Sequence, residues 1–268
     1  MLYPGESIMV RQKNLIAGIA SCLTLSIPTV SLAAYIPPSD QVPPKTRGTI
    51  AARRSDCNAN KFEDKFQETN RSAYLTALAP ESYMGKTTST HPTFAWFIDK
   101  SVAVPLQFSL YEHETTTKNL KPQPLFTKTL DSVPGIMKLT LPQDTPGLSM
   151  GKTYAWQVVL LCSTQSPSQN SWIRRPFQIS GVSPLLGQMI GATDDPVKKM
   201  NLYAEAGLWY DALNVALSAN ASPQINRSMS ALLNNLANLE KQKEPKDAPV
   251  ATLFSEALRE VAAANLNR

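Results

Sequence analysis

Leu148-Ser149-Met150-Gly151-Lys152-Thr153-Tyr154-Ala155-Trp156 is the stretch that decides the fold. Gly151 and Lys152 read as a turn. Tyr154, Trp156, Val158, Leu160 and Cys162 then fall on one face of a long strand. The same alternation recurs upstream. Phe94, Trp96 and Ile98 share a face, as do Leu106, Phe108 and Leu110, while Met137, Leu139 and Leu141 alternate with Lys138 and Thr140. Residues 125–130 read as a weaker strand. Residues 173–179 read as the last, and Pro176 within it, with no N–H to give a ladder, predicts a sheet edge. Turn residues separate these runs: Asp99-Lys100, Pro134-Gly135, residues 142–147 and residues 166–170. Six or seven short strands over about a hundred residues predict an antiparallel β-sandwich, placed here at residues 73–182.

Beyond it, residues 183–268 read as a small all-α region. Asp195-Pro196 gives an N-cap followed by proline in the first turn. Val197, Met200, Tyr203 and Ala204 follow at helical spacing, Gly207 suits a turn, and Trp209, Ala212, Leu213 and Ala216 mark the next helix. Two later helices are expected at residues 226–241 and 251–265, carrying Met229, Leu232, Leu233 and Leu236, then Leu253, Phe254, Leu258 and Val261. A lone hairpin needs a neighbour to bury its apolar face. It is therefore expected to pack on the sandwich or on the later helices.

The N-terminus has the order of an export signal: Arg11 and Lys13, an apolar run over residues 15–32, and small residues at Ser31 and Ala33. Residues 1–33 are read as a signal peptide. A transmembrane anchor is the alternative, opposed by Pro28 and by a run at the lower limit of a span. Lipidation at Cys22 is a minority alternative. Residues 34–72 are rich in proline and basic side chains, lack apolar periodicity, and are read as a flexible leader. Export to the periplasm or the extracellular space would leave Cys57 and Cys162, an even pair for a disulfide in an oxidising compartment. Two unpaired thiols are the alternative. Zinc spacing is absent.

The formal net charge is +5. Residues 183–268 hold eight basic and nine acidic side chains, so the excess lies in residues 34–182. The positives are scattered apart from Arg53-Arg54 and Arg174-Arg175. No basic stripe is interleaved with aromatics, which argues against a nucleic-acid partner. Catalytic motifs are missing. There is no Gly-x-Ser-x-Gly elbow and no His-Glu-x-x-His pair, and Gly151-Lys152-Thr153 lacks the upstream glycine of a phosphate loop. His113 stands between Glu112 and Glu114, which point away from it in a strand. The sequons at Asn70, Asn220 and Asn226 read as chance matches. Arg174 and Arg175 point to opposite faces of a strand. One reading makes them structural, and the other makes them a partner-binding edge. Trp209 and Tyr210 are read as core, with an aromatic platform as the alternative.

Three resemblances add to this reading. Residues 148–156 resemble the corner of fibronectin type III-like and immunoglobulin-like domains, where a strand-opening tyrosine hydrogen-bonds back to the corner backbone. Tyr154 takes that place, with a plain core tyrosine as the alternative. Residues 202–219, through Tyr203, Gly207, Trp209, Ala212 and Ala219, resemble a tetratricopeptide-type hairpin. The whole motif string resembles the cyanobacterial exported domain-of-unknown-function family DUF928. It runs through Arg53-Arg54-Ser55-Asp56-Cys57, residues 75–80, His91-Pro92-Thr93-Phe94-Ala95-Trp96-Phe97, Gly151-Lys152-Thr153-Tyr154-Ala155-Trp156, Trp172-Ile173-Arg174-Arg175 and residues 202–213. His91, Phe94, Trp96, Gly151, Tyr154, Trp156, Gly207 and Trp209 are its fold signature, with His91 in a strand-entry motif. The resemblance implies export and a shared fold, and carries no activity.

The expected protein is a non-enzymatic cell-envelope component that binds an envelope protein or glycan. It has no cofactor, no metal and no transmembrane span in the mature chain. An exported hydrolase with an unrecognised active site is the alternative.

Overall fold

The structure, a computed structural model, describes residues 1, 34–39, 75–99, 104–112, 123–162, 170–220, 222–242 and 248–266. The architecture below belongs to the unit Leu32–Arg268. Cys22, Cys57, His113 and most of the expected leader lie outside the described residues.

Among the described residues, eight strands precede five helices. The strands are β1 (Leu75–Ala77), β2 (Gly85–Thr87), β3 (Thr93–Ile98), β4 (Pro105–Glu112), β5 (Phe126–Asp131), β6 (Gly135–Thr140), β7 (Thr153–Leu160) and β8 (Ser171–Ile179). They form two sheets, ordered β1-β3-β6 and β2-β8-β7-β4-β5. All pairings are antiparallel except β2 with β8. The alternation read from the sequence is what fills the space between the sheets. Phe94, Trp96, Phe108, Trp156 and Phe177 are all fully buried. Phe94 lies 5.6 Å from Trp156, 5.3 Å from Phe108 and 5.1 Å from Phe177, ring centre to ring centre.

β1 and β2 are three residues each, too short for a period-2 pattern to register. They also refine the expected edge. β2 pairs with β8 from Phe177 onward, directly after Pro176. The proline therefore occupies the last position at which β8 has no second neighbour and no donor is missed.

Tyr154, near the start of β7, bonds back to the preceding turn. Its phenolic oxygen accepts the Ser149 N–H at 2.9 Å, five residues upstream. Gly151 sits in the intervening turn at φ 79°.

The helices are α1 (Pro184–Gly191), α2 (Pro196–Glu205), α3 (Trp209–Ser218), α4 (Pro223–Gln242) and α5 (Ala248–Leu266). Asp195 caps α2 as expected, accepting from the Val197 N–H at 2.9 Å. α1 was not foreseen, although Ser183-Pro184 carries the same cap-then-proline signal, and Ser183 accepts from the Leu186 N–H. None of its residues is buried, and Leu185 and Met189 face solvent.

α3 bridges the two sheets, touching β2 of one and β3 of the other. It is sewn down along one side. Asp211 accepts from the Thr88 N–H and hydroxyl at 2.9 and 2.8 Å. Asn214 accepts from the Thr93 hydroxyl at 2.8 Å, and Lys138 donates to the Leu217 carbonyl at 2.6 Å. These stitches explain why Thr93 is buried although it points away from the inter-sheet space. α4 and α5 pair with each other, α4 also meeting α2 and α3, and α5 meeting β1. One hydrophobic cluster runs from Leu75 through the sandwich to Ala262. The boundary drawn at residue 182 therefore divides the secondary structure but not the core.

The leader also departs from its expected flexibility over residues 34–39. Tyr35 is buried, and its ring meets Trp209 edge-on at 5.0 Å. Its N–H donates to Asn235 Oδ1 at 2.9 Å, and the Ile36 N–H donates to the Ala204 carbonyl at 3.1 Å. Gly207, at φ 74°, closes the turn between α2 and α3. A Cβ there would lie 2.5 Å from the Pro38 ring. A lone tyrosine among prolines has no periodicity to announce it, and its burial is decided wholly by tertiary contact.

Candidate functional site

Strand parity sorts the two arginines. On β8, Ile173, Arg175, Phe177 and Ile179 point one way and are buried, while Trp172, Arg174 and Gln178 point the other.

Arg175 is 1% exposed and serves the fold. Nη1 donates to the Arg174 carbonyl at 2.9 Å, Nη2 lies 3.5 Å from Glu81 Oε2, and the guanidinium sits 4.9 Å from the centre of the Phe254 ring on α5. It is out of reach of an external partner. Nearby, Glu240 at the end of α4 accepts from the Glu81 N–H at 2.8 Å and the Ser82 N–H at 3.0 Å. Burial pushes the Glu240 carboxyl above the usual carboxylate range, against the pull of those hydrogen bonds and of Arg175. Burial likewise raises Asp211, opposed by its hydrogen bonds from Thr88 and Thr87. Both carboxylates are helix-borne clamps on the loops that flank β2.

Arg174 belongs to a different surface. Its guanidinium lies 5.0 Å from the centre of the Tyr111 ring on β4. Among the described residues no carboxylate pairs with it, and its Nε has no hydrogen-bond partner. Ala155, the cross-strand neighbour of Tyr111 on β7, leaves room for that reach. Register places two rows on this outward face: Trp172, Val159, Gln107 and Thr129, then Arg174, Gln157, Ser109 and Thr127. Trp172 is 39% exposed. Trp172 shares with Arg174 the parity opposite to Ile173.

The other sequence candidates are structural in place. The His91 ring spans from the Thr90 hydroxyl (Nδ1, 3.0 Å) to the Thr145 carbonyl (Nε2, 3.1 Å). A carbonyl only accepts, so Nε2 carries a hydrogen. The ring thereby ties the entry of β3 to the loop after β6. Trp209 is buried and donates to the Leu78 carbonyl at 2.9 Å. Tyr210 is buried between the sheets, 5.8 Å from Phe94 and 5.4 Å from Phe177. Burial raises its phenol well above the ordinary tyrosine value. Cys162 follows β7, partly buried against the core.

A shallow cavity of about 210 Å³ lies at one end of the sandwich, between Leu110, Leu125, Phe126, Leu141, Leu148 and Tyr154. At its rim Glu112 pairs with Lys152 at 2.6 Å. Among the described residues, no three His, Cys, Asp or Glu side chains gather as a metal site would need, and no helix is long and apolar enough to cross a membrane.

A family model described as Domain of Unknown Function (DUF928) matches residues 49–262. No curated protein and no solved structure matches the chain.

Proposed function

The chain belongs to the DUF928 family, and we propose that it is an exported, non-enzymatic cell-envelope protein that recognises its partner through the outward face of the five-stranded sheet. The single observation that carries recognition is Trp172. A tryptophan left 39% exposed on a sheet face, beside an arginine that no carboxylate among the described residues pairs with, fits a contact made with something outside the chain.

Export is favoured by the order of Arg11, Lys13 and the apolar run after them. Ala34 is exposed and Tyr35 buried, so removal of residues 1–33 leaves the docked segment whole. The immunoglobulin-like identity of the sandwich is supported by its strand order, by the parallel β2–β8 pair and by the Tyr154 corner. The tetratricopeptide-type reading of α2 and α3 is supported by the tight turn at Gly207. The proposed partner of Cys162 is Cys57. Mass measurement of exported protein with and without reductant should differ by the two hydrogens of one disulfide. Two free thiols would refute the pairing.

The test of recognition is capture from crosslinked envelope fractions, probed for both protein and polysaccharide, by the wild-type chain and by Trp172→Ala. The expected result is a component retained by the first and lost by the second. Equal capture by both would overturn the assignment of this face.

A further inference from the structure

We propose that the outward face of the five-stranded sheet binds an acidic glycan, with Trp172 stacked on a sugar ring and Arg174 pairing with the carboxylate or sulfate of that sugar or its neighbour. The inference rests on the recognition reading above and names its ligand.

Three observations lead there. The first is spacing. Trp172 and Arg174 are two residues apart on β8, so both side chains leave the same face roughly 7 Å apart along the strand. An indole offers a flat apolar surface on which the C–H face of a pyranose packs, and its edge stays wet.

The second is the state of Arg174. Stacking on Tyr111 holds the guanidinium in place, and among the described residues no carboxylate neutralises it. Arg175, one residue on, has Glu81. The nearby Glu112 is paired with Lys152, and Asp131 stands at the far end of edge strand β5. A guanidinium ordered beforehand, with its fork unused, is a receptor for a planar or tetrahedral anion. The positive excess of residues 34–182 points the same way.

The third is the company these two keep. Gln107, Gln157, Thr127 and Thr129 stand in the same rows, with Val159 and the buried Ser109 between them. Their amides and hydroxyls match sugar hydroxyls as donor and acceptor at once. An acidic protein partner fits less well. A stable protein interface buries about 800 Å² per side around an apolar centre, and this face has one exposed tryptophan, with Val159 beside it, set among mostly polar side chains.

Affinity electrophoresis of the purified full chain tests the proposal, with polygalacturonate, dextran sulfate, neutral dextran and polyglutamate in the gel. The expected result is retardation by one or both acidic polysaccharides and none by neutral dextran. Arg174→Gln and Trp172→Ala should each weaken it about tenfold or more, which is 1.4 kcal/mol. Arg227→Gln, the same loss of charge on α4, should leave it unchanged and so separates a site from general attraction to a basic protein. Equal loss in Arg227→Gln, binding indifferent to Arg174, or retardation by polyglutamate alone would overturn the glycan. If the acidic polysaccharides fail while envelope capture still depends on Trp172, the ligand is wrong and the recognition face stands. If neither depends on Trp172, both fall.

Discussion

The indole Nε1–H of Trp156, on β7, donates to the phenolic oxygen of Tyr210, on α3, at 2.9 Å, and both side chains are buried. A helix from the C-terminal region thus satisfies a donor in the centre of the sandwich. Tyr210→Phe keeps the ring and removes the acceptor, leaving a buried N–H unpaired. The expected loss is about 1–3 kcal/mol, read as a lower urea midpoint at unchanged slope. Helix content by circular dichroism and tryptophan fluorescence should fall together in both proteins, because one core links them.

Gly85 stands against the same ring. A Cβ built there would meet Tyr210 Cε2 at 2.6 Å. The ring is wedged by Phe94 and Phe177 and cannot swing aside. Gly85→Ala should destabilise by about 1–3 kcal/mol through overpacking. In a Tyr210→Leu background most of that penalty should vanish. A double-mutant cycle by urea denaturation reads the difference, and strictly additive losses would show that the clash lies elsewhere.

The docked segment at residues 34–39 invites a third measurement. Tyr35→Ala empties a buried aromatic site beside Trp209, at about 3–5 kcal/mol. Gly207→Ala should release the same segment by a different route, through strain at positive φ and the approach of Pro38. In both variants limited proteolysis should cut near residues 34–39 sooner than in the wild type. Unchanged cleavage would mean that the segment contributes nothing to protection.

Stability should depend on pH through Glu240 and Asp211. Both carboxyls are raised above their ordinary values by burial, so between about pH 4 and their folded-state values the native chain holds more protons than the unfolded one. Stability is then fullest at the acid end of that window and declines as pH rises through the raised values. The urea midpoint should be higher near pH 5 than near pH 7, and Glu240→Gln should flatten the slope. A midpoint rising over that interval would reverse the sign argued here.

Much of the fold is legible in the chain because period-2 alternation is a local signal, and the six longer strands all announce it. Parity alone also divided Arg174 from Arg175. What escaped was non-local. Tyr35 is recognisable as core only once Trp209 and Asn235 are beside it. β2 exists because β8 offers it an edge. Trp172 looked like one more aromatic in a strand, since an outward tryptophan and an inward one are spelled alike until the register is known. The core was cut at residue 182 because composition changes there, whereas Tyr210 crosses that line and enters between the sheets.

The stacking partner of Arg175 comes from α5, the last of the described helices. During synthesis the strands emerge well before Phe254 does. Until then the Arg175 guanidinium lacks the ring that it faces in the finished fold. Truncations that remove only the tail should therefore be felt at the opposite end of the molecule's history, as slow or failed maturation of strands completed long before.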